Sequence, residues 1–415
     1  MEGSVPNYTL SDDIFEAAAR RFPTPFYLYD ERGIRQAAQA VQAAFAWNKG
    51  FHQYYAVKAL PTPAILKLML DEGCGLDCSS MTELLLAQKV GAKGADIMFS
   101  ANAMPAEELR FAQEQDATIN LDDISDVDRL IDHGGVPDMI CLRVNPGKFG
   151  AQRKSVMGSS LDAKFGMLPT QLLPALEQLK AHGATAFGLH AMTDSNALDI
   201  SYYTNNARYL FELGAGLEKQ SGLKLALINL SGGIGIPYRP EDKPADLAAI
   251  SSGIIQEYER VFTGRDDVRL VTELGRYITG PSGWLVARAI HKKAIWRDYV
   301  GLDASAADLI RPAMYGAYHH ISVVGKRNAP HDRVYDVTGA LCENNDKFAI
   351  QRSLPQIDIG DILLLHDAGA HAHAMGYQYN GRLRSAEVLY TTDGEFKLIR
   401  RAETPEDYFQ TMVFD

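Results

Sequence analysis

The segment QYYAVKA at residues 53–59 has the features of a short buried strand, because it is rich in aromatic and β-branched residues and runs into the proline-containing turn LPTP. A helical pattern, PAILKLMLDEG at 63–73, follows it. Seven further strand-like runs repeat this arrangement: CGLDCSS (74–80), DIMFSAN (96–102), ATINLDD (117–123), DMICLRVNP (138–146), AFGLHAM (186–192), LALINLSGG (225–233) and VRLVTELGR (268–276). Eight strands that alternate with helices predict a (β/α)8 TIM-like barrel.

The spacing of these runs favours a closed barrel over an open sheet. The first four begin about 21 residues apart, close to the shortest span that holds a strand, a helix and two turns. An open, doubly wound sheet would usually have fewer strands and a single glycine-rich switch point. That open sheet is the alternative architecture.

The pattern changes after about residue 280, where short strands separated by Gly, Pro and Asp replace the helices. The strand-like runs are VARAIHKKAIW (286–296), HHISVVG (319–325), RVYDVTGAL (333–341), DILLLHDAG (361–369) and SAEVLYT (385–391). The first 25 or so residues are grouped with them, next to a strand candidate of their own, FYLYD at 26–30. We therefore predict an α/β barrel domain over 26–282. The second domain, all β and of β-sandwich or Greek-key type, comprises 1–25 and 283–415.

Composition excludes several classes of function. The chain has 415 residues, 46% of them hydrophobic and 22% charged, as expected for a globular protein. Its formal net charge is −11 and no basic patch is visible, which argues against a nucleic-acid partner. No apolar run approaches the roughly 20 residues of a membrane span. The acidic N-terminus does not resemble a secretory signal, and the four cysteines form no CxxC pair. A cytoplasmic protein is expected.

Polar residues stand at the ends of the predicted barrel strands, where barrels of this type carry their functional groups. They are Lys58, Asp77, Asn145, His190, the loop Ser231–Gly235, Glu273 and Arg276. Taken singly, Lys58 would more often be a solvated lysine, His190 a core histidine and Glu273 an ion-pair partner of Arg276. Together they describe a site with an amine, a carboxylate, an imidazole and a phosphate-binding loop.

This combination suits pyridoxal 5′-phosphate. Lys58 could hold the aldehyde covalently, and Glu273 could keep the pyridine nitrogen protonated. Backbone N–H groups of SGGIG and the side chain of Arg276 could bind the phosphate, since the loops after strands seven and eight usually form the phosphate site of such barrels. His190 could stack on the ring.

The chain resembles the fold-type III pyridoxal-phosphate decarboxylases of the alanine racemase-like fold, and within them the diaminopimelate decarboxylases most closely. The motifs that carry the resemblance are YAVKAL (55–60), LDCSS (76–80), GLH (188–190), NLSGGIGIPY (229–238), ELGR (273–276), RPAMYGAYH (311–319), LCENND (341–346) and YNGRLRSAEVL (379–389). They extend over nearly the whole chain. The resemblance implies a homodimer whose active sites lie between subunits.

The resemblance also implies residue roles. Asp77 would support the lysine, Cys342 would donate the proton or assist its donor, and Cys342 and Glu343 would come from the partner subunit. The implied cofactor contacts are Lys58, Asp77, His190, Thr193, Gly232, Gly233, Gly235, Glu273, Arg276 and Tyr379. The implied substrate contacts are Arg276, Arg311, Tyr315, Glu343 and Tyr379.

The implied reaction is the decarboxylation of meso-2,6-diaminopimelate to L-lysine, the last step of lysine biosynthesis. Four positions depart from the family pattern: Thr193 replaces a phosphate-binding serine, Ser231 a glycine, Asn344 a serine and His371 an aromatic residue. The alternatives are a decarboxylase of ornithine, lysine, carboxynorspermidine or a D-amino acid, a racemase, and a pyridoxal-phosphate-binding homologue without catalysis.

Two further features are ambiguous from sequence. His371 and His373 lie two apart on a predicted strand, but no third ligand completes a metal site, so we expect no metal. The basic, Gly/Ser-rich segment 148–164 is either a lid over an anionic ligand or a solvated insertion.

Overall fold

The computed structural model describes residues 10–147 and 161–414. By their contacts these residues form two compact units. The barrel unit contains residues 37–236 and 244–277, apart from the gap at 148–160, and the β unit contains residues 10–36, 237–243 and 278–414.

The strands, numbered along the chain, are β1 (Phe26–Asp30), β2 (His52–Ala56), β3 (Gly75–Cys78), β4 (Ile97–Ser100), β5 (Thr118–Leu121), β6 (Met139–Arg143), β7 (Ala186–His190), β8 (Lys224–Asn229), β9 (Arg269–Leu274), β10 (Gly283–Ala294), β11 (Asp298–Leu302), β12 (Ile321–Val323), β13 (Arg333–Thr338), β14 (Lys347–Leu354), β15 (Ile362–Leu365), β16 (Ala386–Tyr390) and β17 (Phe396–Arg400). The helices are α1 (Asp12–Arg21), α2 (Glu31–Phe45), α3 (Pro63–Asp71), α4 (Met81–Val90), α5 (Ala106–Glu114), α6 (Ser125–His133), α7 (Pro169–Ala181), α8 (Ile200–Ser221), α9 (Leu247–Val261), α10 (Arg276–Thr279), α11 (Arg311–Tyr315) and α12 (Pro405–Phe409).

The eight strands β2 to β9 form a closed parallel barrel in sequence order, which confirms the predicted fold class and removes the open sheet as an alternative. Strand β2 closes the barrel by pairing with both β3 and β9, with Tyr54 opposite Gly75 on one side and Glu273 on the other. A buried cluster takes one side chain from each of five strands: Tyr54, Met98, Cys141, Leu227 and Val271. These side chains fill the interior of the barrel, as in other barrels of this type.

Local sequence explains why the helices begin and end where they do. The side chain of Ser80 caps α4 by accepting a hydrogen bond from the backbone N–H of Glu83, and Gly91 ends the helix at φ +101°. Asp199 caps α8 in the same way, and Gly222 ends it at φ +68°. These caps set the lengths of the loops on the barrel ends.

The β unit contains one connected, mostly antiparallel sheet with the order β14-β13-β11-β10-β1-β16-β17, to which β15 and β12 are added beside β10. Strand β1 lies inside this sheet, antiparallel to β10 and parallel to β16. Its Phe26 and Leu28 pack with Phe15 of α1 and Trp284 of β10 in a buried core. The segment 26–36, which the sequence pattern places in the barrel domain, lies in the β unit by its contacts, and residues 26–30 pair with strands of that unit.

The prediction that His371 and His373 share one strand is wrong. His371 lies in a turn at φ +52°, and His373 begins a short 3-10 helix that ends at Met375. The ring of His373 is instead held by the carbonyl of Ser385 at 3.1 Å and by Arg384. Among the described residues, no cluster of three or more His, Cys, Asp and Glu side chains could bind a metal ion.

Among residues 10–147 and 161–414, no helix combines the length and the apolar character that a membrane crossing needs.

Candidate active site

Four of the predicted side chains converge where the barrel strands end. Lys58 lies two residues after the end of β2, and Asp77 is the penultimate residue of β3. Nζ of Lys58 lies 3.8 Å from Oδ2 of Asp77. His190 ends β7 and Glu273 lies near the end of β9, with Nε2 of His190 3.4 Å from Oε2 of Glu273. The barrel thus brings an amine, an imidazole and two carboxylates to one end of its strands.

Lys58 occupies a 3-10 turn, Val57–Ala59, immediately after β2. Its side chain is half exposed, at 49%, although Val57 and Ala59 are buried. Asp77 is fully buried, and burial together with the nearby charge of Glu273 raises its pKa well above the ordinary value, against the opposing attraction of Lys58. An accessible amine beside a buried acid is an arrangement suited to covalent chemistry at the amine.

His190 and Glu273 are both buried, and their protonation states differ from those of a simple ion pair. Burial lowers the pKa of His190 to about 4, against the attraction of Glu273, so the ring is neutral near pH 7. Burial acts to raise the pKa of Glu273, but His190, Lys58 and hydrogen bonds from Asn229 and Ser100 hold it below the ordinary value. Because His190 is neutral near pH 7, Lys58 and the two hydrogen bonds are the contributions that persist there.

The glycine loop after β8 lies against the loop after β7. The N–H of Ala197 donates to the carbonyl of Gly233 at 2.9 Å, and the N–H of Gly235 donates to the carbonyl of Ala197 at 2.8 Å. Gly233 has φ +95°, and a Cβ there would lie 2.7 Å from the carbonyl oxygen of Asp194. A Cβ on Gly232 would collide with the carbonyl of Glu273. Glycine is therefore required where this loop approaches its neighbours.

Thr193 and Arg276 lie beside these two loops. The hydroxyl of Thr193 is 2.7 Å from the hydroxyl of Tyr202, and Arg276 donates to Oγ of Ser195 at 3.3 Å. Arg276 is buried and begins α10, directly after β9. A cation, three hydroxyls and a glycine loop therefore meet at the ends of β7, β8 and β9, and this donor set suits a phosphate.

Several polar residues at this end of the barrel were not predicted from the sequence. They are Ser100, Asn120, Asp122, Arg143 and Asn229. Arg143 ends β6, pairs with Asp122 at 3.1 Å and lies 4.4 Å from the ring centre of Phe165. The sequence pattern indicates Asn145, two residues further along, as the polar end of this strand. The two-residue alternation of β6 could have identified Arg143, because it shares a face with the interior residue Cys141.

The remaining predicted site residues belong to the β unit. Arg311 is buried at the start of α11, with its guanidinium carbon 5.1 Å from the ring centre of Tyr238, and Tyr315 at the end of α11 is exposed. Cys342 and Glu343 are exposed. The N–H of Cys342 donates to Oδ1 of Asn380 at 2.7 Å, which ties the LCENND loop to the residue after Tyr379.

Residues 148–160 of the segment expected to form either a lid or a solvated insertion lie outside the described residues.

Comparison with known proteins gives concordant matches. The family model described as the pyridoxal binding domain of pyridoxal-dependent decarboxylases matches residues 31–280. Protein TabA of Pseudomonas amygdali pv. tabaci is 44% identical, over 95% of this chain and 92% of that protein. Diaminopimelate decarboxylase of Methanothermobacter thermautotrophicus is 32% identical, over 94% of this chain and 91% of that protein. The structure of diaminopimelate decarboxylase from M. jannaschii in complex with L-lysine is 28% identical and superposes with a TM-score of 0.90, covering 96% of this chain and 94% of that one.

Proposed function

The chain belongs to the family of pyridoxal-dependent decarboxylases, and we propose that within this family it converts meso-2,6-diaminopimelate to L-lysine and carbon dioxide. The family, the decarboxylase activity and the cofactor pyridoxal 5′-phosphate, all expected from the sequence, are confirmed by this membership. The observation that carries the proposal is the convergence of Lys58, Asp77, His190 and Glu273 at one end of the barrel. A cytoplasmic location and a place in lysine biosynthesis belong to the same proposal.

The residues at the barrel end fit the cofactor. In the described part of the chain, both carboxylate oxygens of Asp77 and Nε2 of His190 are buried without a hydrogen-bond partner. Buried polar atoms normally find partners, so these atoms are suited to a polar group that enters the site. The phosphate-type donor set at the ends of β7, β8 and β9 and the accessible amine of Lys58 match the two other features of the cofactor.

Pyridoxal phosphate supplies, when bound, an electron-withdrawing ring that accepts the electron pair left behind by departing carbon dioxide. Lys58 would hold its aldehyde carbon, and Asp77 would keep the Lys58 amine oriented from 3.8 Å away. Glu273, ionised and buried, would stabilise a proton on the pyridine nitrogen, and His190 would pack on the ring as a neutral imidazole. Thr193, Gly232, Gly233, Gly235, Arg276 and Tyr379 would bind the phosphate.

The substrate is proposed to bind both a positively charged and a negatively charged side chain. Arg311 is a buried cation suited to a distal carboxylate, and Glu343 is suited to a distal amino group. Tyr315, Tyr379 and Arg276 would complete the contacts, and Cys342 would return a proton to the carbon that loses carbon dioxide. Cys342 and Glu343 are proposed to come from the partner subunit of a homodimer.

A second candidate is the decarboxylation of another diamino acid, such as ornithine, lysine, carboxynorspermidine or a D-amino acid. Two observations favour it. The relative at 44% identity is named Protein TabA and not diaminopimelate decarboxylase, whereas proteins with that second name match at 29–32%. In addition, Asn344 replaces the usual serine beside Cys342 and Glu343.

One experiment tests both the cofactor and the substrate. The purified protein is loaded with pyridoxal phosphate, reduced with borohydride and digested, and the labelled peptide is sequenced. Carbon dioxide release is then measured with meso-, LL- and DD-diaminopimelate, ornithine, lysine and arginine. The proposal requires the label on Lys58 and the highest kcat/KM for meso-diaminopimelate. A label elsewhere, or a preference for a monocarboxylic diamino acid, would refute it.

Removing the proposed distal clamp should reduce the preference for the diacid. Arg311→Ala is expected to lower kcat/KM for meso-diaminopimelate about a hundredfold, because truncation leaves a buried carboxylate of the substrate unpaired. Its kcat/KM for lysine should change far less. Arg352→Ala is a matched control, since the guanidinium of Arg352 also lies over a tyrosine ring, that of Tyr318, at 3.9 Å. Equal kcat/KM values for the diacid in the wild type and Arg311→Ala would contradict the clamp.

The proposed homodimer can be tested by mixing two inactive variants. If each site combines Lys58 of one protomer with Cys342 of its partner, a hybrid of Lys58→Ala and Cys342→Ala protomers contains one intact site. When equal amounts of the two variants exchange subunits at random, about half of the dimers are hybrids, and each hybrid has one intact site of two. The mixture should therefore recover up to about a quarter of the wild-type activity. Two different affinity tags verify that hybrids form. Hybrids without activity would show that the two residues do not serve one shared site.

A further inference from the structure

A closed path of side chains lies at the end of the barrel strands. Nδ2 of Asn120 is 2.6 Å from Nδ1 of His190 and 3.1 Å from Oγ of Ser100. Oγ of Ser100 is in turn 2.9 Å from Oε1 of Glu273, which also accepts from Asn229 at 2.6 Å. Strand register supports the path, because Ser100 pairs with Asn120 and His190 pairs with Asn229.

The direction of each hydrogen bond in this path follows from one fact. An ionised carboxylate only accepts, so the hydroxyl proton of Ser100 goes to Glu273. Oγ of Ser100 must then accept from the amide nitrogen of Asn120. The second N–H of the same nitrogen points to Nδ1 of His190, which must also accept. The single proton of the neutral ring is therefore on Nε2, the atom that lies 3.4 Å from Oε2 of Glu273.

On the basis of the proposed function, we propose that Asn120 and Ser100 are positioning residues that hold His190 as a neutral, Nε2-protonated ring and so reserve the charge of Glu273 for the pyridine nitrogen of the cofactor. A protonated His190 would form an ion pair with Glu273 at their present separation. It would then compete for the negative charge that the cofactor requires. Asn120 prevents this because its amide offers Nδ1 a hydrogen and no negative charge.

The charged groups around His190 are consistent with this role. Glu273 on β9 favours a second proton on the ring, whereas Arg143 on β6 and Lys58 after β2 oppose it. Burial is the largest effect and lowers the pKa of the ring to about 4. The amide of Asn120, itself buried, adds no charge to this balance.

The decisive variant is Asn120→Asp, which keeps the shape of the side chain but accepts where the amide donates. Its carboxylate requires a proton on Nδ1 and stabilises the doubly protonated ring, so the pKa of His190 should rise from about 4 towards its ordinary value of about 6.5. The absorption spectrum of the bound cofactor should become pH-dependent between about pH 5 and about pH 8, the range of histidine titration, and the acid limb of the kcat profile should move to higher pH. We expect kcat at neutral pH to fall about tenfold to a hundredfold.

Ser100 offers an independent test that does not introduce a charge. Ser100→Ala removes one donor to Glu273 and should change the cofactor spectrum and lower kcat, whereas Ser100→Thr retains the hydroxyl and should restore both. This pair keeps the proposal falsifiable if Asn120→Asp does not fold.

Asn48→Asp is the matched control for Asn120→Asp, because Asn48 is a buried amide that precedes β2 at the opposite end of the strands. It should lower thermal stability and leave the spectrum and the pH profile of kcat unchanged.

The outcomes distinguish this inference from the proposed function. A wild-type protein that binds no pyridoxal phosphate, or releases no carbon dioxide from any amino acid, would refute the proposed function whatever the Asn120 variants do. A wild-type enzyme that is active, together with Asn120→Asp and Ser100→Ala proteins that keep its spectrum and pH profile, would overturn the positioning role alone.

Discussion

Replacing Lys58 with alanine is expected to abolish decarboxylation, with a loss of at least about a thousandfold in kcat, the scale on which removal of a covalent catalytic group acts. The side chain of Lys58 is half exposed and its amine lies 3.8 Å from a buried acid, so the amine is accessible and is not held in a close ion pair. The variant should also lack the absorption band of protein-bound cofactor and the covalent label that borohydride reduction produces. Activity, spectrum and labelling are measured on the same preparation.

Two further variants separate the covalent role of the Lys58 amine from the effect of its positive charge. Lys58→Arg keeps the positive charge beside Asp77 but lacks a primary amine, so it should be as inactive as Lys58→Ala. Lys49→Ala is the matched control, because Lys49 forms an exposed ion pair with Asp266 at 2.5 Å and should be dispensable. A Lys58→Arg protein that keeps most of its activity would reduce Lys58 to a counterion for Asp77.

The positions of the main site residues could be predicted because they combine two strong signals. The first signal is residue type, because charged or titratable side chains are not explained by apolar packing. The second is position, because each of these residues lies where a strand-like run ends: Lys58, Asp77, His190 and Glu273. Strand ends at the same face of a barrel meet in space, so the sequence order of strands was sufficient to bring the residues together.

The supporting polar residues were not predicted, for a physical reason. Ser100 and Asn120 lie within the predicted runs DIMFSAN and ATINLDD, where a short polar side chain is compatible with a strand end or a turn. Their role depends on which face they share with their neighbours and on the register between β4 and β5. Register between parallel strands is set by packing across the whole barrel and is not encoded in either run alone.

The position of β1 was ambiguous for a similar reason. FYLYD precedes the first barrel strand by only one helix, α2, which fits the local pattern of a barrel. All five residues of β1 are buried, and the strand pairs with β10 and β16, which are more than 250 residues distant along the chain. Such long-range pairing has no local sequence signal. Strands β11, β14 and β17 were not predicted; each has only one or two charged residues, and the sheet pairing that defines them is likewise long-range or set by register.

Glu273→Gln isolates the charge that the proposed mechanism assigns to this position. Both donors, Ser100 and Asn229, bind Oε1, so a glutamine can keep both hydrogen bonds with its carbonyl oxygen. Its amide would replace Oε2, so only the electrostatic attraction between Oε2 and the Nε2 proton of His190, 3.4 Å away, would be lost there. The fold and the bound cofactor should therefore be retained. Because the negative charge is lost, the pyridine nitrogen would no longer hold its proton, and kcat should fall about a hundredfold to a thousandfold.

The control for this variant is Glu257→Gln, the same substitution at a buried carboxylate of the barrel unit that pairs with Arg208 and Arg260 on the helical side. It should reduce the free energy of unfolding and leave kcat unchanged. The measurements are steady-state kcat, the dissociation constant of pyridoxal phosphate and the melting temperature of each variant. If Glu273→Gln lost the cofactor but kept kcat once saturated with it, Glu273 would act in binding alone, and its negative charge would not be what keeps the pyridine nitrogen protonated.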